Sequence, residues 1–166
     1  DLKKELCKSG ATDRDYYLAQ FVILTLMVEF YDGQGSTSKS REFLKLGELQ
    51  NIISERLKAG SALEQEREIE NTTLHSEMYE NILDYKSMSE AYESLRSTET
   101  SSRSKYTKEG YVSIICNFME RQGLILFIPE DEMIKTTAKL DNIMEYKILN
   151  KENYTRIMEA LGATNE

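Results

Sequence analysis

The sequence predicts a mainly α protein, a helical middle region joined to a C-terminal winged helix with a two-stranded β-hairpin wing. Three observations lead there. One proline, no tryptophan and 30% charged residues suit a helical chain. The stretch from Tyr16 to Tyr31 is apolar nearly all round, which marks a central or interface helix. From Tyr106 to Thr137 the pattern reads helix, glycine, short strand, tight acidic turn, second strand and helix start. That order is the back half of a winged helix.

Taken in order, Leu2 and Leu6 stand four apart in a short helical lead closed by Gly10. Thr12 is a natural N-cap, with Asp13 and Asp15 in the first turn where the helix dipole favours carboxylates. The apolar helix that follows stops at Asp32, Gly33 and Gly35. Arg41 to Leu46 suits a short strand. Leu49, Ile52, Ile53 and Leu57 then recur at helical spacing, and Gly60 is expected to end that helix. Ala62 to Ile69 is Glu-rich, an exposed helix or connector. Leu74, Met78, Ile82 and Tyr85 set the apolar row of a further helix running to about Leu95.

Ser97 to Ser104 holds six serines or threonines and reads as a linker. The expected organisation is therefore a helical dimerisation region over residues 1–96, a linker over 97–106 and a C-terminal winged-helix domain over 107–166. Thr107 caps the helix carrying Tyr111, Ile114, Ile115, Phe118 and Met119, and Gly123 ends it. Leu124 to Ile128 and Met133 to Thr136 are paired strands about the turn Pro129 to Glu132. Thr137 caps the next helix, with Leu140, Ile143, Met144 and Ile148 on one stripe. Tyr154, Ile157, Met158 and Leu161 form a last one.

The net charge of −8 is unevenly spread. Residues 1–60 hold 9 basic and 9 acidic side chains, residues 61–100 hold 3 and 10, and residues 101–166 hold 9 and 10. The middle of the chain therefore repels a nucleic-acid duplex. Cys7 and Cys116 are far apart and unsuited to a disulfide framework, so both are expected as free thiols in a reducing, cytoplasmic setting. The apolar run Tyr16 to Tyr31, broken by Gln20, Thr25 and Glu29, is shorter than the roughly 20 residues that cross a bilayer. No membrane span is expected.

A search for chemistry finds little. His75 is the one histidine, on an acidic stretch beside Glu77, and there is no CxxC, no HExxH, no phosphate-cradling glycine loop and no nucleophile elbow. No catalytic residue, metal site or cofactor is expected. Arg103, Lys105 and Lys108 are candidates to neutralise DNA phosphates without reading sequence. Asn117, Glu120, Arg121 and Gln122 are the polar side chains a recognition helix has here, and the hairpin tip Glu130, Asp131 and Glu132 repels DNA. Tyr17, Phe21, Leu24, Met27, Val28 and Tyr31 are candidates for a dimer or partner surface on the apolar helix.

Three stretches carry a family resemblance: TDRDYYLAQFVILTLMVEFYDG from Thr12, SREFLKLGELQNIISERL from Ser40, and the hairpin end with KTTAKLDNIMEYKILNKENYTRIMEAL from Lys135. Together they resemble the MukE-like KITE (kleisin-interacting tandem winged-helix) subunits of bacterial SMC-type complexes, those of Wadjet plasmid-defence systems most of all. The resemblance implies a non-enzymatic scaffold that dimerises and binds a kleisin and, through it, an SMC ATPase working on circular DNA. It also implies a first winged helix upstream of Asp1, of which the present chain would carry the end. The rival expectation is a winged-helix transcription regulator binding DNA as a homodimer, which calls for a basic wing and sequence-specific operator binding. A small acidic-cluster metalloenzyme is a third and calls for carboxylates converging on one cleft.

Overall fold

Three threonines expected as helix starts mark helix starts in the computed structural model, which describes residues 2–7, 9–31, 39–71, 85–97, 104 and 106–144. A short α1, Leu2–Leu6, leads into α2, Asp13–Phe30. The Asp15 carboxylate accepts from the Thr12 amide at 2.9 Å and from its hydroxyl at 2.8 Å, fixing the entry to α2. Strand β1, Leu44–Lys45, runs directly into the long helix α3, Leu46–Asn71. Helix α4 spans Tyr85–Glu93 and α5 spans Lys108–Arg121. Strands β2, Ile125–Ile128, and β3, Met133–Thr136, flank a 3-10 turn at Pro129–Asp131, and α6 covers Ala138–Ile143.

Strands β2 and β3 pair antiparallel. The Thr107 hydroxyl accepts from the Gly110 amide at 3.1 Å, starting α5. The helix closes with Gly123 at φ +73, where its amide reaches the Glu120 carbonyl and the Leu124 amide reaches that of Met119. This paired closure turns the chain sharply into β2. Antiparallel pairing sets Ile125 opposite Thr136 and Phe127 opposite Ile134, and Glu132 takes the left-handed conformation that finishes the turn. Thr137 accepts from the Leu140 amide at 3.3 Å and starts α6.

The strand foreseen before α3 turns out to be the third member of the same sheet. Leu44 pairs with Ile134 and Lys45 with Met133, giving the order β1-β3-β2. The residues flanking the segment expected as a linker are bonded to each other: the Arg96 amide donates to the Tyr106 carbonyl and the Lys108 amide to the Arg96 carbonyl, both at 3.0 Å. One apolar core runs across it, from Leu6 and Phe21 through Leu49 and Tyr92 to Ile115, Ile134 and Leu140. Residues from both expected regions belong to that core among the described residues.

Gly60 does not end a helix. It lies inside α3, where an added Cβ would overlap the ring of Tyr85, so the missing side chain lets α4 approach α3. Helix α4 gains its cap from the same neighbour: the Glu64 carboxylate accepts from the Tyr85 amide at 2.7 Å and the Lys86 amide at 2.9 Å. Replacing Glu64 with alanine leaves those amides without that acceptor and should cost about 0.5–2 kcal/mol in chemical denaturation. The rows expected at Leu74 to Ile82 and Tyr154 to Leu161 lie outside the described residues.

Cys7 and Cys116 are both buried free thiols. Burial raises the Cys116 thiol from 9.0 to about 12 and the Tyr92 phenol from 10.0 to about 12. Tyr31 and Tyr111 are raised as well, by burial first, with the Asp141 hydrogen bond next at Tyr31. In each case the unfolded chain loses its proton before the folded one, so stability falls as pH rises above the unfolded values. Melting temperatures should therefore drop steadily as pH rises from about 9 to about 12. Native Cys116 should also resist alkylation at pH 8 until the protein unfolds.

Candidate functional site

Helix α2 is apolar nearly all round, with a fully buried side and a partly buried one. Leu18, Phe21, Val22, Leu26 and Val28 are buried, as is Tyr31 just beyond the helix. This corrects the expected partner surface, because Phe21, Val28 and Tyr31 are interior residues of a single chain. Tyr31 donates a short hydrogen bond to Asp141, and Lys39 bonds Thr136 at 2.8 Å, tying the end of α2 to β3 and α6. The second stripe is Tyr16, Tyr17, Gln20, Ile23, Leu24 and Met27, of which Tyr17 and Gln20 are exposed while Tyr16, Ile23, Leu24 and Met27 pack against the core. Tyr17 is 49% exposed, while Leu24 and Met27 are half-buried.

The inner edge of α2 carries a charge cluster that sequence reading did not find. The Glu29 carboxylate accepts from Arg56 at 2.6 Å and Arg41 at 3.0 Å, and Arg41 reaches on to Glu48 at 2.8 Å. Glu29 sits on an otherwise apolar helix, so the cluster joins α2, the approach to β1 and α3. It is a structural joint, with the Arg56 and Glu29 side chains both mostly covered.

Of the phosphate candidates, Arg103 and Lys105 lie outside the described residues. Lys108 lies within them and is already engaged. Its ammonium is 2.8 Å from the Glu93 carboxylate and 4.9 Å above the Tyr92 ring, with the side chain only 16% exposed. That corrects its assignment as a free phosphate contact, since Glu93 neutralises it and α4 covers it. The polar side chains of α5 are partly spoken for too. Glu120 accepts from the Phe127 amide at 3.0 Å, covering a donor on the open edge of β2, and Arg121 pairs with Glu5 at 3.1 Å. Asn117 and Gln122 are exposed. Glu130, Asp131 and Glu132 stand exposed at the hairpin tip.

The sheet shows a surface that was not foreseen. Ile125, Phe127, Ile134 and Leu44 fill its inner face. On the outer face, register places Leu126 beside Lys135, and Ile128 beside Met133 and Lys45. Leu126 is 52% exposed, and Phe43, which strand alternation puts on the same side, is 45% exposed. A hairpin with one wet face usually alternates apolar and polar residues, whereas Ile125 to Ile128 is apolar throughout. That unbroken run was the available signal.

Among the described residues no group of three or more His, Cys, Asp or Glu side chains is placed to hold a metal ion. No described helix is long and apolar enough to cross a membrane. His75 lies outside the described residues. The family model DUF6063, a family of unknown function, matches residues 1–166. The chain belongs to DUF6063. No curated protein and no solved structure matches it. For this DUF6063 member, then, the site rests on its own geometry: exposed Tyr17 on α2, exposed Leu126 on the outer face of the sheet, and an acidic turn between β2 and β3.

Proposed function

We propose that this chain is a winged-helix scaffold subunit of a bacterial SMC-type complex of the Wadjet kind. It binds a kleisin and, through it, an SMC ATPase, associates with a second copy of itself, and serves plasmid defence in the cytoplasm without catalysis of its own. The observation that carries the reading is the character of the outward surfaces. Where a DNA reader needs cations, the hairpin tip has three carboxylates and Lys108 is neutralised by Glu93. Where a free-standing domain has polar side chains, the sheet leaves Leu126 and Phe43 in water.

The topology supports the winged-helix part. A helix, a strand, further helices and a hairpin, with the first strand paired to the last, is the winged-helix order. In this reading the self-association surface is the second stripe of α2, at Tyr17, Leu24 and Met27. Contact with double-stranded DNA is non-specific and weakens steeply with salt.

Co-expression with the open reading frames that neighbour its gene tests the function. A stable complex with a kleisin-type subunit and an SMC ATPase is expected. Sequence-specific duplex binding at physiological salt, with neither protein retained, would point instead to the regulator. The dimer surface is tested at its exposed member by Tyr17→Asp, which should convert a dimer to a folded monomer in light scattering.

A further inference from the structure

We propose that the outer face of the sheet, formed by Phe43, Lys45, Leu126, Ile128, Met133 and Lys135, docks a short amphipathic segment of a partner protein that bears carboxylates beside two or three large apolar side chains. This names the docking face of the function proposed above and rests on that reading. The apolar side chains alone would leave the occupant open; charge and size decide it.

Two lysines interrupt the apolar face of an otherwise acidic protein. Lys45 donates to the Asp131 carbonyl at 2.8 Å, a neutral acceptor on the turn that carries Glu130, Asp131 and Glu132. No carboxylate pairs with Lys45 or Lys135 among the described residues. The face therefore favours a segment whose acidic residues flank its apolar ones. A duplex is too wide to rest on the two lysines alone and meets the three tip carboxylates as well, whereas a short segment can lie over Lys135 and the apolar side chains.

Size argues against a second copy here. Strands of four residues rise about 14 Å, and three strands lie about 4.8 Å apart, so the face covers on the order of 200 Å². A stable dimer needs about 800 Å² from each partner. One or two turns of helix, about 10 Å across, fit the smaller figure. The open edge of β2 is a poorer dock, because Glu120 already occupies the Phe127 amide.

Two measurements test this. In the first, ¹⁵N-labelled full chain is titrated with two helical peptides of identical leucine spacing, one with glutamate and one with lysine at the other positions. Saturable shifts at Leu126, Ile128, Met133 and Lys135 are expected, at least tenfold tighter for the glutamate peptide, and Lys135→Glu should reduce that preference. Shifts elsewhere, no saturable shift, or equal affinity for the two peptides would overturn the proposal. In the second, Leu126→Asp is placed in the co-expressed complex. The position is exposed, so the variant should keep the wild-type melting temperature yet lose the kleisin-type subunit. Retention of that subunit by folded Leu126→Asp overturns the docking face and leaves the scaffold function standing. If wild type itself retains no partner, the scaffold function fails and the peptide titration alone decides the face.

Discussion

Truncating Phe21 to alanine is expected to lower the unfolding free energy by about 3–5 kcal/mol, a large share of the 5–15 kcal/mol typical of a domain. Phe21 is 1% exposed and meets the Tyr85 ring edge-on, with centroids 5.8 Å apart. The loss combines transfer of the ring, the cavity left behind and the aromatic contact. Truncating Tyr17, one turn earlier on the same helix and 49% exposed, should change stability by no more than about 0.5 kcal/mol, since half of it is already in water. Urea denaturation of both variants checks the assignment of faces. Equal losses at the two positions would mean that α2 does not present the side described.

Gly60→Ala is the second large effect, and its sign is what matters. Helix propensity alone favours alanine by about 1 kcal/mol in the middle of α3. The new methyl, however, overlaps the buried Tyr85 ring, which is held between α3 and Phe21. Overpacking of this kind costs about 1–3 kcal/mol and outweighs propensity when a whole ring must shift. A net loss is expected, with α4 loosened first, so amide exchange at Met88 and Ala91 should rise more than at Ile134. Combining Gly60→Ala with Phe21→Ala should cost less than the two separate losses together. Removing Phe21 gives the Tyr85 ring room to move away from the methyl.

These two sites also show what sequence reading can reach. The caps at Thr12, Thr107 and Thr137, the stop at Gly123 and the hairpin about Pro129 are local, so a few neighbouring residues suffice to see them. Gly60 looks like a stop from its neighbours alone, and only Tyr85, on the next described helix, explains why a glycine continues the helix there. β1 is two residues long, and its pairing with β3 links opposite ends of the described chain, which no periodicity records. Helix α2 is apolar on both sides, so its pattern contains no polar stripe to tell Phe21 from Leu24. Lys108 reads as a free cation until Glu93, fifteen residues earlier, is seen beside it. Of the six residues on the candidate partner surface, Tyr17 is exposed, Leu24 and Met27 are half-buried against the core, and Phe21, Val28 and Tyr31 lie inside.

The account ascribes to this chain the role of a protein dock with an acidic hairpin tip and apolar outer faces. Calorimetric titration of the full chain with its purified kleisin-type neighbour, and separately with duplex DNA at 0.15 M salt, addresses that most directly. The account predicts saturable protein binding with a negative heat-capacity change, as apolar burial requires, and no sequence-dependent heat with DNA. Tight, sequence-dependent duplex binding with no heat from the kleisin-type protein would contradict it.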